Sequence, residues 1–553
     1  MSTAAPRFQL TSPALLAALV VLFIVPGLTG HDLWKSQDAI ALGVVHDMAV
    51  RGHLLVPHVA GATWLEDGPL YHWVALAFGK LFGFALEFQD AARLASGAFV
   101  AAALAFLYSA ARRWTGDEEA APAAGAAALL LLLGAVGFMV RAHQALPELA
   151  ALAATSGAFA ALALRSEDSA PARAAGVGAA FGAALGLAFL AGSWIAALAL
   201  FITAAAAQLV CPSWRTAKAV PFLLAALVVC VLVGGAWPAT LALHSPDAFD
   251  EWWRGLRYLH GSIGENARHL VANASWSAWP AWPLALWSVW SLRRKWLAPR
   301  LFVPGASLVV MAALQIAHGE PRDESLLLLL APLALLAVPG LFTLRRGAVA
   351  ALDWFGVLAF AFFTGLLWLG YSALTLGVPA PVARNLERIA PGFTPHVQPL
   401  ALVFAFALAL AWIYLVFFTP FNPMRGVLRW AGGMVLLWGT FALLLMPWVD
   451  YQKSYRSVAL QLRSHIPAGA RCIAERSLGM SQAAALDYHG GIRARPFDPL
   501  EPEACPLVIV QIDPRYAVDT TPPALDRHAW RLLADVGRPG DRSERYRLYR
   551  LAK

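Results

Sequence analysis

The chain has 553 residues, of which 59% are hydrophobic and only 14% are charged, and its mean hydropathy is +0.60. Soluble domains carry about a quarter charged residues, so this composition excludes an ordinary soluble protein and predicts a polytopic membrane protein. The net charge of +8 does not imply a nucleic-acid partner, because basic residues next to membrane crossings follow the positive-inside bias.

The first apolar run extends from about Ala14 to Leu28 and is preceded by one arginine, Arg7. Such a run resembles the apolar region of a signal peptide. No clear small-residue cleavage site lies before the polar stretch that follows. We therefore interpret this run as a retained first span.

The stretch from residue 31 to residue 93 is unusually rich in groups that can carry acid–base chemistry. They are Asp32, Asp38, His46, Asp47, His53, His58, Glu66, Asp67 and His72. Apolar residues spaced through residues 38–50 predict a short amphipathic helix that ends at Gly52. Pro69 predicts the start of a second amphipathic helix over residues 70–81. Two helices lying on a membrane, with an acidic loop between them, are expected.

Four motifs follow one another through this stretch. They are WKSQDA from Trp34 to Ala39, a Met48…Gly52…Pro57…Gly61 pattern, EDGPLYHW from Glu66 to Trp73, and AARL from Ala91 to Leu94. Their order and spacing resemble the first outer loop of bacterial membrane glycosyltransferases related to the protein O-mannosyltransferases and the lipid A aminoarabinose transferase. These proteins have the GT-C fold and are similar to glycosyltransferase family 39.

The chain departs from this family pattern at three places. The family's Asp-Glu pair is Gln37-Asp38 here, and the Lys-Pro that follows the family's glutamate is Asp67-Gly68. A later Lys-Gly-Pro-like turn is replaced by residues 192–194, Gly-Ser-Trp. Either Asp38 has taken over the acidic role, or this member is weakened, altered in substrate or inactive.

The apolar runs and the resemblance together predict the fold class. We expect an all-α polytopic membrane domain of GT-C type over residues 1–449, in which residues 31–90 form the outer catalytic loop. A small α/β domain outside the cytoplasm should follow over residues 450–553. About 13 spans are predicted, at residues 13–30, 91–111, 120–139, 145–164, 174–191, 194–210, 219–239, 275–292, 301–317, 325–343, 350–376, 398–418 and 427–448.

The positions of arginine and lysine predict the orientation of these spans. With a cytoplasmic N-terminus, six inner loops would hold basic residues, from Arg112 and Arg113 in the first to Arg425 and Arg429 in the last. An odd number of spans then places the C-terminus outside. The resemblance implies the bacterial inner membrane, with the C-terminal domain in the periplasm.

Two later outer stretches match the family pattern. Glu148 stands where the family often carries an aspartate, and residues 237–262 resemble an outer loop in which Trp252, Arg257 and Tyr258 mix aromatic rings with a cation. That mixture suits a sugar or a lipid phosphate, and equally an interfacial anchor. Arg322 precedes a leucine-rich run, where the family has a basic residue close to the carrier phosphate. Its planar fork can hold two phosphate oxygens, although an ion pair with a neighbouring acid is an even alternative.

The composition changes at about Asp450 and becomes polar and mixed. We predict a helix over residues 455–465, strands at RCIAE and PLVIVQI, and an edge strand at SERYRLYRLAK. Cys472 and Cys505 each adjoin a predicted strand. A disulfide between them is possible in an oxidising compartment.

The resemblance implies transfer of a sugar from a polyprenyl-phosphate donor. Such a reaction needs a base for the acceptor and positive charge, from arginine or a metal ion, for the leaving phosphate. Asp38 is the best candidate base by alignment, followed by Glu66 and Asp67. The candidate substrate-binding residues are Arg322, Trp34, Lys35, His53, His58, Tyr71, Glu148, Trp252, Arg257 and Tyr258. His53 and His58 flank Pro57, so they could form a metal site with a carboxylate. The sequence assigns no cofactor and leaves a divalent cation open.

Two functional classes remain open. The first is a membrane glycosyltransferase whose acceptor on the outer face is a lipid, a glycan or a protein. The second is a catalytically degenerate relative that binds a lipid carrier as a partner protein or acts as a transporter; Gln37 favours this class. Against a transporter, the polar groups collect at one surface rather than at the membrane midplane.

Overall fold

The computed structural model describes residues 11–165, 170–259, 261–319, 323–470, 472–498, 504–514 and 530–551. The first half of the membrane part has α1 (Pro13–Ile24), α2 (Gln37–Arg51), β1 (His58–Val59), β2 (Ala62–Thr63), α3 (Pro69–Phe82), α4 (Phe88–Trp114), α5 (Ala121–Leu133), α6 (Val136–Arg141), α7 (Pro147–Leu162), α8 (Pro171–Leu190), α9 (Trp194–Val210) and α10 (Ala219–His244).

The second half has α11 (Pro246–Arg257), α12 (Ile263–Ser277), α13 (Ala281–Ser291), α14 (Pro299–His318), α15 (Leu327–Phe342), α16 (Arg346–Leu376), α17 (Ala380–Ile389), α18 (Pro399–Phe418), α19 (Arg425–Leu444) and α20 (Met446–Lys453). The C-terminal part has α21 (Arg456–His465), β3 (Ile473–Arg476), α22 (Met480–Gly490), β4 (Arg495–Pro496), β5 (Leu507–Ile512), β6 (Trp530–Val536) and β7 (Arg545–Leu551).

Each of the 13 predicted spans contains a helix. Within the described residues, 8 helices are long and apolar enough to cross a membrane, and α1, α5, α7 and α9 are shorter apolar helices. The thirteenth range, 275–292, contains α13. The prediction of a polytopic helical membrane domain is confirmed, whereas the direction in which the chain crosses stays a prediction.

Close backbone contact joins α8 to α10. A Cβ atom at Gly178 or Gly182 would lie only 2.2 Å from the carbonyl oxygen of Phe222 or Ala226. Small residues spaced four apart allow this approach, and tight packing holds membrane helices together because lipid offers little hydrophobic drive between them. Any larger side chain at these two glycines would force the helices apart.

The helix α15 lies at the centre of the bundle and is almost completely buried. Its sequence is apolar on every face, as expected for a helix with no solvent-facing side. It packs against α13, α14, α5 and α7. The leucine-rich run after residue 325 is therefore part of the protein core.

The outer loop forms the two predicted helices, α2 and α3. Gly52 ends α2 in a left-handed conformation with a φ of 78°, and its N–H donates to the carbonyl of Met48. Pro69 begins α3. However, α2 does not lie open on the membrane surface, because α22 of the C-terminal part covers it. A Cβ atom at Gly43 would lie 2.8 Å from the Cβ of Ala484.

The C-terminal part is a five-stranded mixed sheet with the order β4-β3-β5-β7-β6, packed with α21 and α22. β3 pairs with β5 in parallel, and β7 pairs antiparallel with both β5 and β6. The small α/β domain is thus confirmed, but the prediction that β7 is an edge strand is wrong. The partner that covers it, β6, comes from a segment in which the sequence indicated no strand.

A disulfide joins Cys472 and Cys505, whose Cα atoms are 5.0 Å apart. It links the start of β3 to the segment just before β5, which are neighbours in the sheet. Cys211 and Cys230 are free.

Candidate active site

The carboxylate of Asp38 forms a buried ion pair with Arg93. Arg93 donates from Nε to Oδ1 at 3.1 Å and from Nη2 to Oδ2 at 2.9 Å, and neither side chain is exposed. The backbone N–H groups of Trp34 and Ala145 also donate to this carboxylate, at 3.0 and 2.7 Å. Asp38 therefore joins the first outer loop to α4 and to the turn before α7.

These four hydrogen bonds leave Asp38 poorly suited to act as a base. A carboxylate has about four lone-pair positions, and all of them are used here. Burial alone would raise the pKa of Asp38, but the charge and the hydrogen bonds of Arg93 outweigh burial and hold that pKa below its usual range. The geometry favours Asp38 as an anchor of the loop, in contrast to the sequence-based hypothesis of a base.

Arg93 itself also holds the start of the loop. Its Nη1 and Nη2 donate to the carbonyls of His31 and Asp32, each at 2.7 Å. We did not identify Arg93 as a site residue from the sequence. Two signals could have done so: it lies in the AARL motif, and a charge in an apolar span requires a partner.

The aligned position of the family's other acid is occupied by Gln37. It lies in the first turn of α2 and is half-buried, unlike its fully buried neighbour Asp38. The position more exposed to solvent thus carries a neutral amide. The departure from the family's Asp-Glu pair therefore removes a negative charge at the more exposed of the two positions.

Trp34 contacts α20, and Lys35 contacts the C-terminal part. The indole N–H of buried Trp34 donates to Oδ1 of Asp450 at 2.8 Å, and Nζ of Lys35 donates to Oε1 of Glu544 at 2.6 Å. Lys453 lies 5.3 Å from the centre of the Trp34 ring. These contacts fix both residues at an interface within the chain.

A second carboxylate at this interface, Asp32, is held by Arg456 of α21. Arg456 Nη2 donates to Oδ1 of Asp32 at 2.6 Å and to Glu87 at 3.0 Å. Burial opposes ionisation of Asp32, but the bonds from Arg456 and Ser454 hold its pKa below the usual range. The outer loop and the C-terminal part are thus joined by charge pairs that the sequence alone did not reveal.

The EDGPLYHW motif lies at the bend before α3. Glu66 is exposed, whereas Asp67 is buried and accepts a hydrogen bond from the indole of Trp64 at 2.8 Å. Tyr71 is completely buried, and its hydroxyl lies 2.7 Å from that of Ser96. Burial is the main reason that the pKa of Tyr71 is raised, so its hydroxyl stays protonated.

His72 is buried beside Asp67. Its Nδ1 donates to the carbonyl of Gly68 at 3.2 Å, so Nε2 carries the lone pair, and this atom has no hydrogen-bond partner among the described residues. Burial lowers the pKa of His72, which keeps the ring neutral. A neutral imidazole next to a carboxylate is a further group able to accept a proton.

Two departures from the family pattern contact each other. A Cβ atom at Gly68 would lie 2.0 Å from the carbonyl oxygen of Leu190, and one at Gly192 would lie 2.8 Å from the N atom of Gly68. Gly192 has a φ of 85°, in the left-handed region that favours glycine. The family's proline would not fit at position 68 in this packing, so the two changes are linked structurally.

The residues Trp252, Arg257 and Tyr258 lie on or just after α11. Trp252 packs edge to face on Trp237 with ring centres 5.6 Å apart, and Arg257 lies 5.3 Å from the ring of Trp253. Tyr258 is exposed. Trp252 is therefore a packing residue, while Arg257 and Tyr258 remain accessible to a ligand.

The remaining sequence candidates lie in different surroundings. Glu148 lies half-buried in the first turn of α7, and its charge influences Tyr71. Arg322 lies outside the described residues. On either side of it, His318 lies 3.1 Å from the carbonyl of Leu256 in α11, and Asp323 pairs with Arg141 at 3.5 Å. His53 and His58 lie together, with ring centres 4.3 Å apart.

An apolar groove of about 520 Å³ lies between the outer loop and α10. Its walls are Leu54, Leu55, Trp73, Leu76, Ala236, Trp237 and Thr240. The indoles of Trp73 and Trp237 donate to the carbonyls of Leu54 and Leu55, at 3.0 and 2.9 Å. These bonds satisfy the polar atoms of the wall, so the surface offered to a ligand is apolar.

The helical bundle, the outer loop and the small sheet domain define a polytopic membrane protein of GT-C type. The structure of ArnT from Cupriavidus metallidurans bound to undecaprenyl phosphate aligns with a TM-score of 0.68 at 17% identity, covering 97% of each chain. The apo structure of the same protein aligns with a TM-score of 0.67 at 16% identity, also over 97% of each chain.

The archaeal oligosaccharyltransferase AglB from Archaeoglobus fulgidus, in complex with an inhibitory peptide and a dolichol-phosphate, aligns at a TM-score of 0.49 and 12% identity. That alignment covers 90% of this chain and 69% of AglB. No family model matches the chain, and no curated protein does. The likeness to ArnT shows that the chain has this fold, as the resemblance predicted.

Proposed function

We propose that this protein is a membrane glycosyltransferase that moves a sugar from a polyprenyl-phosphate donor to an acceptor on the outer face. The observation that carries the proposal is the likeness to ArnT bound to undecaprenyl phosphate, which extends over 97% of the chain. The match of the outer-loop motifs supports it independently. The acceptor is a lipid, a glycan or a protein.

The apolar groove supports a lipid-linked donor. An isoprenoid chain is apolar and flexible, so it suits a groove of leucine and tryptophan whose polar atoms are already bonded. Arg257, at the end of α11, and Arg322 are the proposed partners of the phosphate, since arginine can bind two of its oxygens. The family's lysine after Glu66 is Asp67 here, so the proposed cations for the phosphate lie elsewhere in the chain.

The carboxylates take different roles in this proposal. Asp38 is a positioning residue, because its oxygens are occupied by Arg93 and two backbone N–H groups. The base that activates the acceptor is then Glu66 or Asp67. A positioned base contributes about 10²–10⁴-fold to a reaction rate, which a transfer assay resolves.

The second candidate function is binding of a lipid carrier without transfer. The half-buried amide of Gln37, at a position where the family has an acid, favours it. Both functions predict carrier binding, and only the first predicts transfer. The two are therefore separated by measuring binding and transfer on the same preparation.

The test uses labelled sugar on a polyprenyl-phosphate donor, added to membranes that hold the wild type or a variant. We expect transfer by the wild type and a loss of about 10²–10⁴-fold in Glu66→Gln or in Asp67→Asn. Glu118→Gln is the matched control, because Glu118 is exposed in the connection between α4 and α5 at the opposite end of the first long span. Carrier binding without transfer in the wild type would favour the second function.

The proposed outer location is tested separately. A reporter fused after Lys553 should be active only if the C-terminus lies outside the cytoplasm, as the arginine and lysine distribution predicts. A cytoplasmic C-terminus would contradict the outer active face. In that case the outer loop, which contacts the C-terminal part through Lys35 and Glu544, would also face the cytoplasm.

A further inference from the structure

Three side chains with metal-binding atoms meet at the end of α2. They are Asp47 in the last turn of the helix, His53 just after its cap, and His58 at the start of β1. One ligand atom from each lies within 4.8 Å of the others. Among the described residues, no other group of three or more histidine, cysteine, aspartate or glutamate side chains is so close.

Local backbone structure brings these residues together. Gly52 ends α2 in a left-handed conformation, which turns the chain back toward the helix. The short β1–β2 hairpin then pairs His58 with Thr63, and the N–H of Trp64 donates to the carbonyl of Pro57 at 2.8 Å. The turn and the hairpin hold the two histidine rings beside Asp47 without requiring a ligand.

The hydrogen bonds around these side chains prepare them to bind a cation. Nδ1 of His58 lies 2.7 Å from the carbonyl of Val56, which can only accept, so the proton is on Nδ1 and Nε2 carries a lone pair. A histidine oriented in this way by a carbonyl is typical of metal sites. Oδ2 of Asp47 accepts from Arg51 at 2.7 Å, and Oδ1 accepts from Nδ1 of His53 at 2.6 Å, so a cation that binds both atoms displaces this proton.

Charge near the site does not oppose a cation strongly. Arg51, the nearest positive group, also pairs with Asp487 at 2.9 Å, so its charge is shared between two carboxylates. The side chain of His53 is 44% exposed, which gives an ion a path to the site. Asp47, by contrast, is buried, so a cation there would be partly shielded from water.

We propose that Asp47, His53 and His58 bind one divalent transition-metal ion, with zinc as the preferred metal. Two imidazoles and a carboxylate are a common zinc ligand set, whereas magnesium and calcium prefer oxygen ligands alone. Ligand atoms about 2.0–2.2 Å from zinc are separated by roughly 3.4 Å in a tetrahedral site, so only small side-chain rotations are needed. Three protein ligands leave the fourth position open.

Such an ion would fix one wall of the apolar groove. Leu54 and Leu55 lie between the two histidines in the chain and line that groove. A metal bound by His53 and His58 would therefore hold the segment between them against the end of α2. This proposal goes beyond the proposed sugar transfer, and metal binding is measured without any donor or acceptor.

The test uses the purified full-length protein in detergent, stripped of metal with a chelator and then titrated with zinc or cobalt chloride. We expect about one ion per chain by elemental analysis, and visible absorption typical of tetrahedral cobalt. His53→Gln and His58→Gln should each weaken binding at least about 100-fold, since even the loss of an outer-sphere partner costs 10–100-fold. His465→Gln is the control, because His465 is exposed on α21, outside the proposed site.

Three outcomes would overturn the proposal: no binding by the wild type, unchanged affinity in both histidine variants, or displacement of zinc by an equal concentration of magnesium. Gel filtration checks that each variant remains folded. His53→Gln is the safer variant, because His53 is half-exposed. Asp47→Asn does not decide the question, since it also removes the ion pair with Arg51.

Discussion

The ion pair between Asp38 and Arg93 gives the sharpest prediction about this site. In Asp38→Asn the side chain keeps its size but loses its charge and one acceptor oxygen. The amide NH₂ would face either the N–H groups of Arg93 and Ala145 or those of Arg93 and Trp34, all of which are donors. Arg93, which is completely buried, would lose its bidentate partner and keep only the weaker ion pair of its Nη1 with Asp90 at 3.3 Å.

The expected cost follows from these contacts. Removing one partner of a buried ion pair typically destabilises a protein by about 3–5 kcal/mol. The backbone N–H that then faces the amide NH₂ loses its acceptor, which adds about 1–3 kcal/mol to the loss of stability. We therefore expect Asp38→Asn to lower the folded yield and the apparent melting temperature, so that lost activity in this variant alone would not identify a base.

The double variant Asp38→Asn with Arg93→Gln separates stability from chemistry. It removes both charges of the fully buried pair, and Asp90, which loses Arg93, keeps the N–H of Gly30, so we expect the double variant to be more stable than Asp38→Asn. If Asp38 is a positioning residue, the double variant should regain part of the sugar transfer along with its fold. The assay compares the melting temperature in detergent with transfer per folded molecule for the wild type, both single variants and the double variant.

Two results would refute this reasoning. An Asp38→Asn variant with an unchanged melting temperature would mean that the ion pair contributes little. A double variant that folds like the wild type, yet transfers about 10²–10⁴-fold more slowly, would identify Asp38 as the base.

Three further predictions concern stability. Burial is the main reason that the pKa of Asp450 is raised, to about 6, so the folded state binds this proton more tightly than the unfolded state does. The free energy of unfolding should therefore increase as the pH falls through about 6. Asp450→Asn should remove that dependence in melting curves. Cys472→Ser should lower the free energy of unfolding of the C-terminal domain by about 2–5 kcal/mol, because it removes the disulfide with Cys505. Non-reducing peptide mapping of the wild type should show the two cysteine peptides linked. Free thiols at both positions would contradict the disulfide. Gly68→Ala should lower the free energy of unfolding by about 1–3 kcal/mol, because the added Cβ would lie 2.0 Å from the carbonyl oxygen of Leu190. Gly176 has open space around it, so Gly176→Ala should leave the melting temperature unchanged in the same assay.

The local elements of this chain followed from the sequence because they depend on neighbours a few residues apart. Apolar runs placed a helix in every predicted span, and Gly52 and Pro69 marked the end of α2 and the start of α3. The order of motifs in the outer loop also predicted the ArnT-like fold. The strand β6 (Trp530–Val536) does not follow from the local sequence, because it forms by antiparallel pairing with β7.

The sequence by itself determined that this is a helical membrane protein with a polar loop after its first apolar helix and a small α/β domain, because composition and periodicity fix those features. Only the tertiary structure decided which partners the loop residues contact. Asp38 and Arg93 are 55 residues apart, and Trp34 and Asp450 are 416 apart. An aspartate looks the same in a sequence whether it is a base or an anchor. The number of donors that packing brings to its two oxygens separates these roles, and that number depends on the whole fold.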